Sequence, residues 1–356
     1  MVRCRTAAMG GFVARCDRCH ASVIQYASCR NRHCPKCQSV KQTRWVEQQQ
    51  SRLLDIEYWH LVFTLPHAIN PLAQANARLI YSLLFKAAAE TLLEFGRDPK
   101  WLGGQIGATL VLHTWGQNLS QHIHTHAIVT GGALAAEKNR WITPKHRFLF
   151  PVRALSKVFR GKYLALLDKA WRNGKLHLPG GEEQFQTLKS ELFSRDWVVY
   201  AKRPFKGAKN VLAYLGRYTH KIAISNHRLV AFDGKSVRFR WRDYADGNRQ
   251  KIMQLDADEF LRRFFLHVLP SGFTRIRHYG VLANRDRSEK LSQCRALLGQ
   301  NAPQPAEPES ATELIRRLTG IDVNQCPHCR HGTLVRIDTF KPNDYPSAFI
   351  RPRAPP

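Results

Sequence analysis

LHTWGQNLSQHIHTHAIVTGGAL, residues 112–134, sets how the rest of the chain is read. Around it, 106–114 (IGATLVLHT) and 122–130 (HIHTHAIVT) mix β-branched and polar residues and predict two strands joined by a polar segment. Residues two apart on a strand share a face, so His124 and His126 aim two imidazoles at one point, with His122 beside them if the strand starts early. Core packing explains such a row poorly, because each buried imidazole needs a polar partner. The plain alternative is a solvated histidine face. As a metal site, the row suits Mn²⁺, Mg²⁺ with retained waters, or a transition metal. A third ligand is needed: His113, on the preceding and antiparallel strand, is the first choice, with His122 and Gln117 as alternatives.

Outward from this pair, 58–65 (YWHLVFTL) predicts a strand ended by Pro66, and 71–95 and 152–171 predict long helices. A polar helix is expected at 41–54, a strand at 196–202, a helix at 208–219, and short strands at 221–225, 228–232 and 236–242, with Asp233-Gly234 as a hairpin turn. A helix at 256–267 precedes the basic segment GFTRIRHYG. The boundaries are therefore 1–45 for a small cysteine-rich module, 46–298 for the main domain, 299–311 for a Pro/Ala/Glu linker, 312–340 for a small C-x-x-C element, and 341–356 for a Pro-rich tail expected to be disordered.

Charge narrows the partners. The 356 residues carry 55 basic and 27 acidic side chains, a net of +28, which attracts polyanions and makes nucleic acid the natural ligand. No run of 18 apolar residues exists, and Met1 is followed by Val-Arg-Cys-Arg rather than a signal-peptide core, so no membrane partner is expected. Nine cysteines, an odd number without a secretion signal, favour thiolate ligands in a reducing cytosol over a disulfide framework. Within CDRCHASVIQYASCRNRHCPKC, Cys16-x-x-Cys19 and Cys34-x-x-Cys37 stand fourteen residues apart, the spacing of two knuckles around one tetrahedral zinc ion. Cys29, His20 and His33 lie inside this module and Cys4 just before it, able to replace a ligand or build a second site. Arg30, Arg32 and Lys36 flank the turn and face phosphate readily. Cys326-x-x-Cys329 has no second pair after it, so a frayed zinc ribbon and a structural accident stay open.

In VLAYLGRYTH, Tyr214 and Tyr218 are four apart and share a helix face, with Arg217 and Lys221 alongside for phosphate. An aromatic pair packed on a core is the plain reading of such spacing. A phenol can also attack a phosphodiester and keep the bond energy for rejoining, and a metal polarising the phosphate is what that chemistry needs.

Taken with SCRNRHCPKCQ (28–38), YWHLVFTLPHAIN (58–70), WVVYAKRPF (197–205), YLGRYTHKIAISN (214–226) and FLRRFFLHVLPSGFTRIRHYG (260–280), these features resemble the two-tyrosine HUH transposases of the insertion-sequence 91 family over about residues 1–300. The family's His-hydrophobic-His motif falls on His124-Thr125-His126, with Thr125 in place of an aliphatic residue and Ile123 where proline is frequent. The nucleophile pair falls on Tyr214 and Tyr218. With Met1 close to the cysteines, a helical piece that relatives carry ahead of them is expected to be missing.

The resemblance implies an α+β fold: a central antiparallel sheet bearing the histidines, flanking helices, and a zinc-binding domain in front. It implies metal-dependent cleavage and rejoining of single-stranded or hairpin DNA at transposon ends and target, through a 5′-phosphotyrosine, in a bacterial, nucleoid-associated setting. An acid-based transposase is disfavoured, because Glu90, Glu94, Asp98, Glu137 and Asp168 are the only acids between residues 60 and 180. A non-catalytic zinc-dependent DNA-binding protein and a replication-initiator-type nickase are the alternatives.

Overall fold

The computed structural model describes residues 3–31, 34, 37, 39–50, 52–145, 148–205, 210, 223–302 and 309–344. The chain divides into two compact units, Met1–Glu47 with Gln304–Pro356, and Gln48–Pro303. The first unit opens with an antiparallel hairpin of β1 (Gly11–Cys16) and β2 (Ser22–Tyr26), followed by helix α1 (Ser39–Gln50).

The second unit is built on one antiparallel sheet. Strand β3 (Tyr58–Thr64) leads into α2 (Asn70–Ala75) and α3 (Ala77–Arg97), then β4 (Gly104–Trp115) and the fifteen-residue β5 (Gln121–Ala135), against which the two-residue β6 (Trp141–Ile142) pairs. Helices α4 (Val152–Arg172) and α5 (Gly181–Ser194) follow, then β7 (Val199–Phe205). The small sheet β8 (Leu229–Phe232), β9 (Ser236–Asp243) and β10 (Arg249–Asp256) comes next, with α6 (Ala257–Phe265). Strand β11 (Ile276–Gly280) returns to the main sheet, whose order is β11-β4-β5-β3-β7, and α7 (Arg287–Leu297) ends the unit.

One face of that sheet is apolar. Leu61, Phe63, Leu110, Leu112, Ile123, Ala127 and Val129 alternate out of the central strands into a core shared with α3 and α4. Along α4, Leu155, Phe159, Tyr163, Leu167 and Ala170 recur every three or four residues and are all buried, the stripe a helix needs to lie on a sheet. Thr125 points into this core, fully buried, and its hydroxyl donates to the Val111 carbonyl at 3.2 Å, so a polar residue stands there without an unmet hydrogen bond.

Two expectations change here. The long helix expected over 71–95 is broken at Asn76, whose side-chain amide donates to the Leu72 carbonyl (3.0 Å) and the His177 carbonyl (2.7 Å). No strand forms over 223–225, where Ala223 takes a left-handed φ of 57°; residues 221 and 222, and the helix expected at 208–219 apart from residue 210, lie outside the described residues.

After α7 the chain returns to the first unit through α8 (Ala311–Thr319), which starts at a Ser310–Glu313 capping box. It ends with β12 (Leu334–Phe340), which pairs antiparallel with β1 to give the sheet β12-β1-β2. The segment expected as a separate C-terminal element over 312–340 therefore belongs to the first unit and supplies its third strand. Sequence periodicity cannot reveal that, because the ladder partner lies at the other end of the chain. Among the described residues no helix is long and apolar enough to cross a membrane.

Candidate metal centre and nucleic-acid interface

The face of the sheet opposite the helices carries the histidines. In the antiparallel register His113 of β4 stands opposite His124 of β5, and Val62 of β3 stands opposite His126. Alternation then places His60, two residues before Val62, on the same face as His126. One ligand nitrogen from each of His113, His124 and His126 lies within 4.8 Å of the other two.

Hydrogen bonds aim these rings. The His122 carbonyl can only accept, so the His124 Nδ1–H donates to it at 2.8 Å and the lone pair of His124 is on Nε2. That Nε2 stands 3.1 Å from Nε2 of His126. Two nitrogens at ~2.1 Å from one cation on adjacent coordination positions are separated by about 3.0 Å, so the pair fits a shared ion. Burial, and then the charge of neighbouring imidazoles, pushes His124 down to about 3 and His126 well below the usual histidine range. Both rings are neutral at physiological pH, the state that can donate a lone pair to a metal. The donor set and its geometry therefore fit a divalent cation.

The His122 ring lies beside the trio, 4.8 Å from that of His124. The His122 ring centroid is 5.5 Å from that of His67, and it stands outside the trio. The Gln117 side-chain amide donates to the Tyr244 hydroxyl at 3.3 Å.

Three residues at the site carry no obvious motif. His60 Nε2 is 2.8 Å from His126 Nδ1, and burial holds His60 down to about 4. Lys202 of β7 pairs with His60 across the sheet and adds positive charge near both rings. Arg275 donates to the Leu112 carbonyl at 3.0 Å and lies over the Trp115 ring at 5.0 Å, while that ring stacks on His113 at 4.8 Å. A three-imidazole centre edged by a lysine, an arginine and a tryptophan suits a nucleic-acid strand, with cations for phosphate and a ring for a base. The alternation in YWHLVFTL was the available signal for His60; Lys202 and Arg275 had none beyond the net charge. Tyr214, Tyr218, Arg217, Lys221, Arg32 and Lys36 lie outside the described residues, and Arg30 is exposed with a left-handed φ of 49°.

The cysteines are arranged otherwise than their spacing predicts. Cys16, Cys19, Cys34 and Cys37 do not surround one point. Instead Cys34 and Cys37 join Cys4 and Cys29, while Cys16 and Cys19 join Cys326 and Cys329, each group having its sulfurs within 4.8 Å of one another. The reason is the β1–β2 hairpin between the knuckles, which carries Cys16 at its outer end, next to β12, while Ala27 at the other end closes on Gly10 and Arg5 beside Cys4. In the first group Cys4 and Cys37 sulfurs are 3.2 Å apart and those of Cys29 and Cys37 3.7 Å.

The chain is similar to known transposases. Residues 107–290 match a family described as "Putative transposase", and residues 1–65 match one described as "Transposase zinc-binding domain". Over 346 residues the chain is 49% identical to "Putative transposase y4qJ" of Sinorhizobium fredii (strain NBRC 101917 / NGR234), an alignment spanning 95% of this chain and 87% of that protein. It is 28% identical over 347 residues to "Transposase for insertion sequence element IS801" of Pseudomonas savastanoi pv. phaseolicola, spanning 92% of this chain and 80% of the other.

Proposed function

The chain belongs to the IS91/IS801 family of insertion-sequence transposases, and on that premise we propose that it cuts and rejoins single-stranded DNA by rolling-circle-type transposition. The observation that carries this reading is the convergence of His113, His124 and His126 on the polar face of the sheet, with His124 and His126 held neutral, beside Lys202 and Arg275. A divalent cation, Mg²⁺ or Mn²⁺, held by the three imidazoles supplies a Lewis acid that draws charge from the non-bridging oxygens of a scissile phosphate.

Tyr214 or Tyr218 supplies the nucleophile in this reading, on the strength of the sequence motif. The phenol oxygen bonds to phosphorus, the P–O3′ bond breaks, and the phenol's proton is balanced by protonation of the departing 3′-oxygen. The products are a 5′-phosphotyrosine and a free 3′-hydroxyl. The second tyrosine accepts a second strand without release of the first. Lys202, Arg275, Arg217 and Lys221 hold phosphates, and Arg30, Arg32 and Lys36 of the zinc-binding domain grip hairpin or single-stranded ends. The protein works in this reading on bacterial DNA, at the nucleoid.

The test incubates the full chain with Mn²⁺ or Mg²⁺ and labelled single-stranded oligonucleotides from the element's own ends. A denaturation-resistant protein–DNA adduct is expected with wild type and none with His126→Ala. DNA binding without any adduct, in either metal, overturns the catalytic reading in favour of a binding protein.

A further inference from the structure

We propose that Cys16, Cys19, Cys326 and Cys329 hold a structural zinc ion of their own, separate from any ion at Cys4, Cys29, Cys34 and Cys37, so that the last strand of the chain completes the N-terminal module. Two knuckles face each other here. Cys16 and Cys329 sulfurs are 3.7 Å apart, and those of Cys19 and Cys326 are 3.6 Å apart. Four thiolates at ~2.3 Å from a tetrahedral zinc ion are separated by about 3.8 Å, and a disulfide needs about 2.0 Å, so the arrangement fits an ion and not a covalent pair.

The backbone is shaped for charged sulfur. The amides of Arg18 and Cys19 each reach the Cys16 sulfur at 3.4 Å, and the Gly332 amide reaches the Cys329 sulfur at 3.3 Å. Amide donors turned onto cysteine sulfur stabilise thiolate and orient it, as partners behind a metal ligand do. The knuckles are also tied to each other: Asp17 N–H donates to the Thr333 carbonyl at 3.1 Å, and Thr333 N–H donates to Asp17 Oδ1 at 2.8 Å. Gly332 allows this approach, since a Cβ built there collides with the Cys16 sulfur and stands 2.7 Å from Asp17 Oδ1. The C-x-x-C at 326–329 thus has its second pair at 16–19, in reverse order along the chain.

The experiment counts zinc per purified full chain and reads its coordination by X-ray absorption. Wild type is expected to carry two sulfur-ligated zinc ions. Cys326→Ser and Cys16→Ser are each expected to lose one, and the Cys16→Ser/Cys326→Ser double variant to lose the same one and no more. Gly332→Ala, which removes no ligand, is expected to lower occupancy of that ion, while Cys294→Ser, a buried thiol far along the chain, keeps both. Full zinc retention by Cys326→Ser overturns the proposal, as does a double variant that loses two ions while each single variant loses one. If a variant fails to fold, the wild-type count still decides: a chain with no thiolate-bound zinc refutes the shared site.

Discussion

His60 Nε2 lies 2.8 Å from His126 Nδ1, across the pairing of β3 with β5. When Nε2 of His126 faces a cation, the proton of its neutral ring is on Nδ1, and His60 Nε2 is the acceptor that keeps it there. In the proposed reading His60 is therefore a positioning residue for a metal ligand. We expect His60→Ala to weaken Mn²⁺ binding by about 10–100-fold, the usual effect of removing a ligand's hydrogen-bond partner. Titration followed by the paramagnetic signal of free Mn²⁺ reads this directly, without DNA. An affinity equal to wild type removes His60 from the site.

In the proposed reading the two tyrosines divide the labour. Tyr214→Phe and Tyr218→Phe lose only a hydroxyl, so each is expected to fold and bind DNA as wild type does. Single variants should still form some covalent adduct with end oligonucleotides but fail to complete transposition; the double variant should form none. An adduct from the double variant places the nucleophile elsewhere in the chain.

Acid should unfold the protein earlier than its overall charge alone requires. His267 is fully buried, donates from Nε2 to the Leu119 carbonyl at 3.0 Å, and leaves Nδ1 as acceptor for the Thr114 hydroxyl at 3.3 Å. Burial pushes its pKa down to about 4. The unfolded chain takes up this proton near pH 6.5 while the folded chain resists it, so stability falls as pH drops from about 6.5 to about 4. The loss from this group is on the order of 2–3 kcal/mol. Thermal melts at pH 7.5 and 5 in EDTA should show a drop that His267→Gln reduces; identical slopes for both chains contradict the assignment.

Phosphate contacts should dominate DNA affinity. With a net charge of +28, the logarithm of the binding constant should fall steeply and linearly with the logarithm of salt. Arg30→Ala, at an exposed position beside Cys29, should weaken binding to all sequences alike and flatten that slope by about one. A binding constant that barely changes between low and physiological salt argues against a phosphate-led interface.

Much of the main sheet was legible because its strands are long and periodic. The stretches 58–65, 106–114 and 122–130 correspond to β3, β4 and β5, since each sends apolar residues into one helix-covered face. The histidine trio was legible for the same reason: a two-residue period on β5 and an antiparallel neighbour bring His113 opposite His124. Strand β11 was not, because its IRHYG is an edge segment of the sheet whose charged residues mask the alternation. The cysteine pairing was not legible either. Local spacing suggested one four-cysteine knuckle pair, but ligand choice depends on which strands meet. The meeting of β1 with β12 is set by contacts across the whole chain.

Cys16 and Cys329 are 313 positions apart in sequence, yet they close one small sheet. At a synthesis rate of about 5–20 residues per second, roughly 15–60 s separate the emergence of β1 from that of β12. During that interval the newborn β1 has β2 on one side and an open edge on the other. A ribosome that stops early releases a chain that already contains the histidine sheet but cannot close this module. Interrupted translation thus separates formation of the histidine sheet from closure of the cysteine module, which waits for β12.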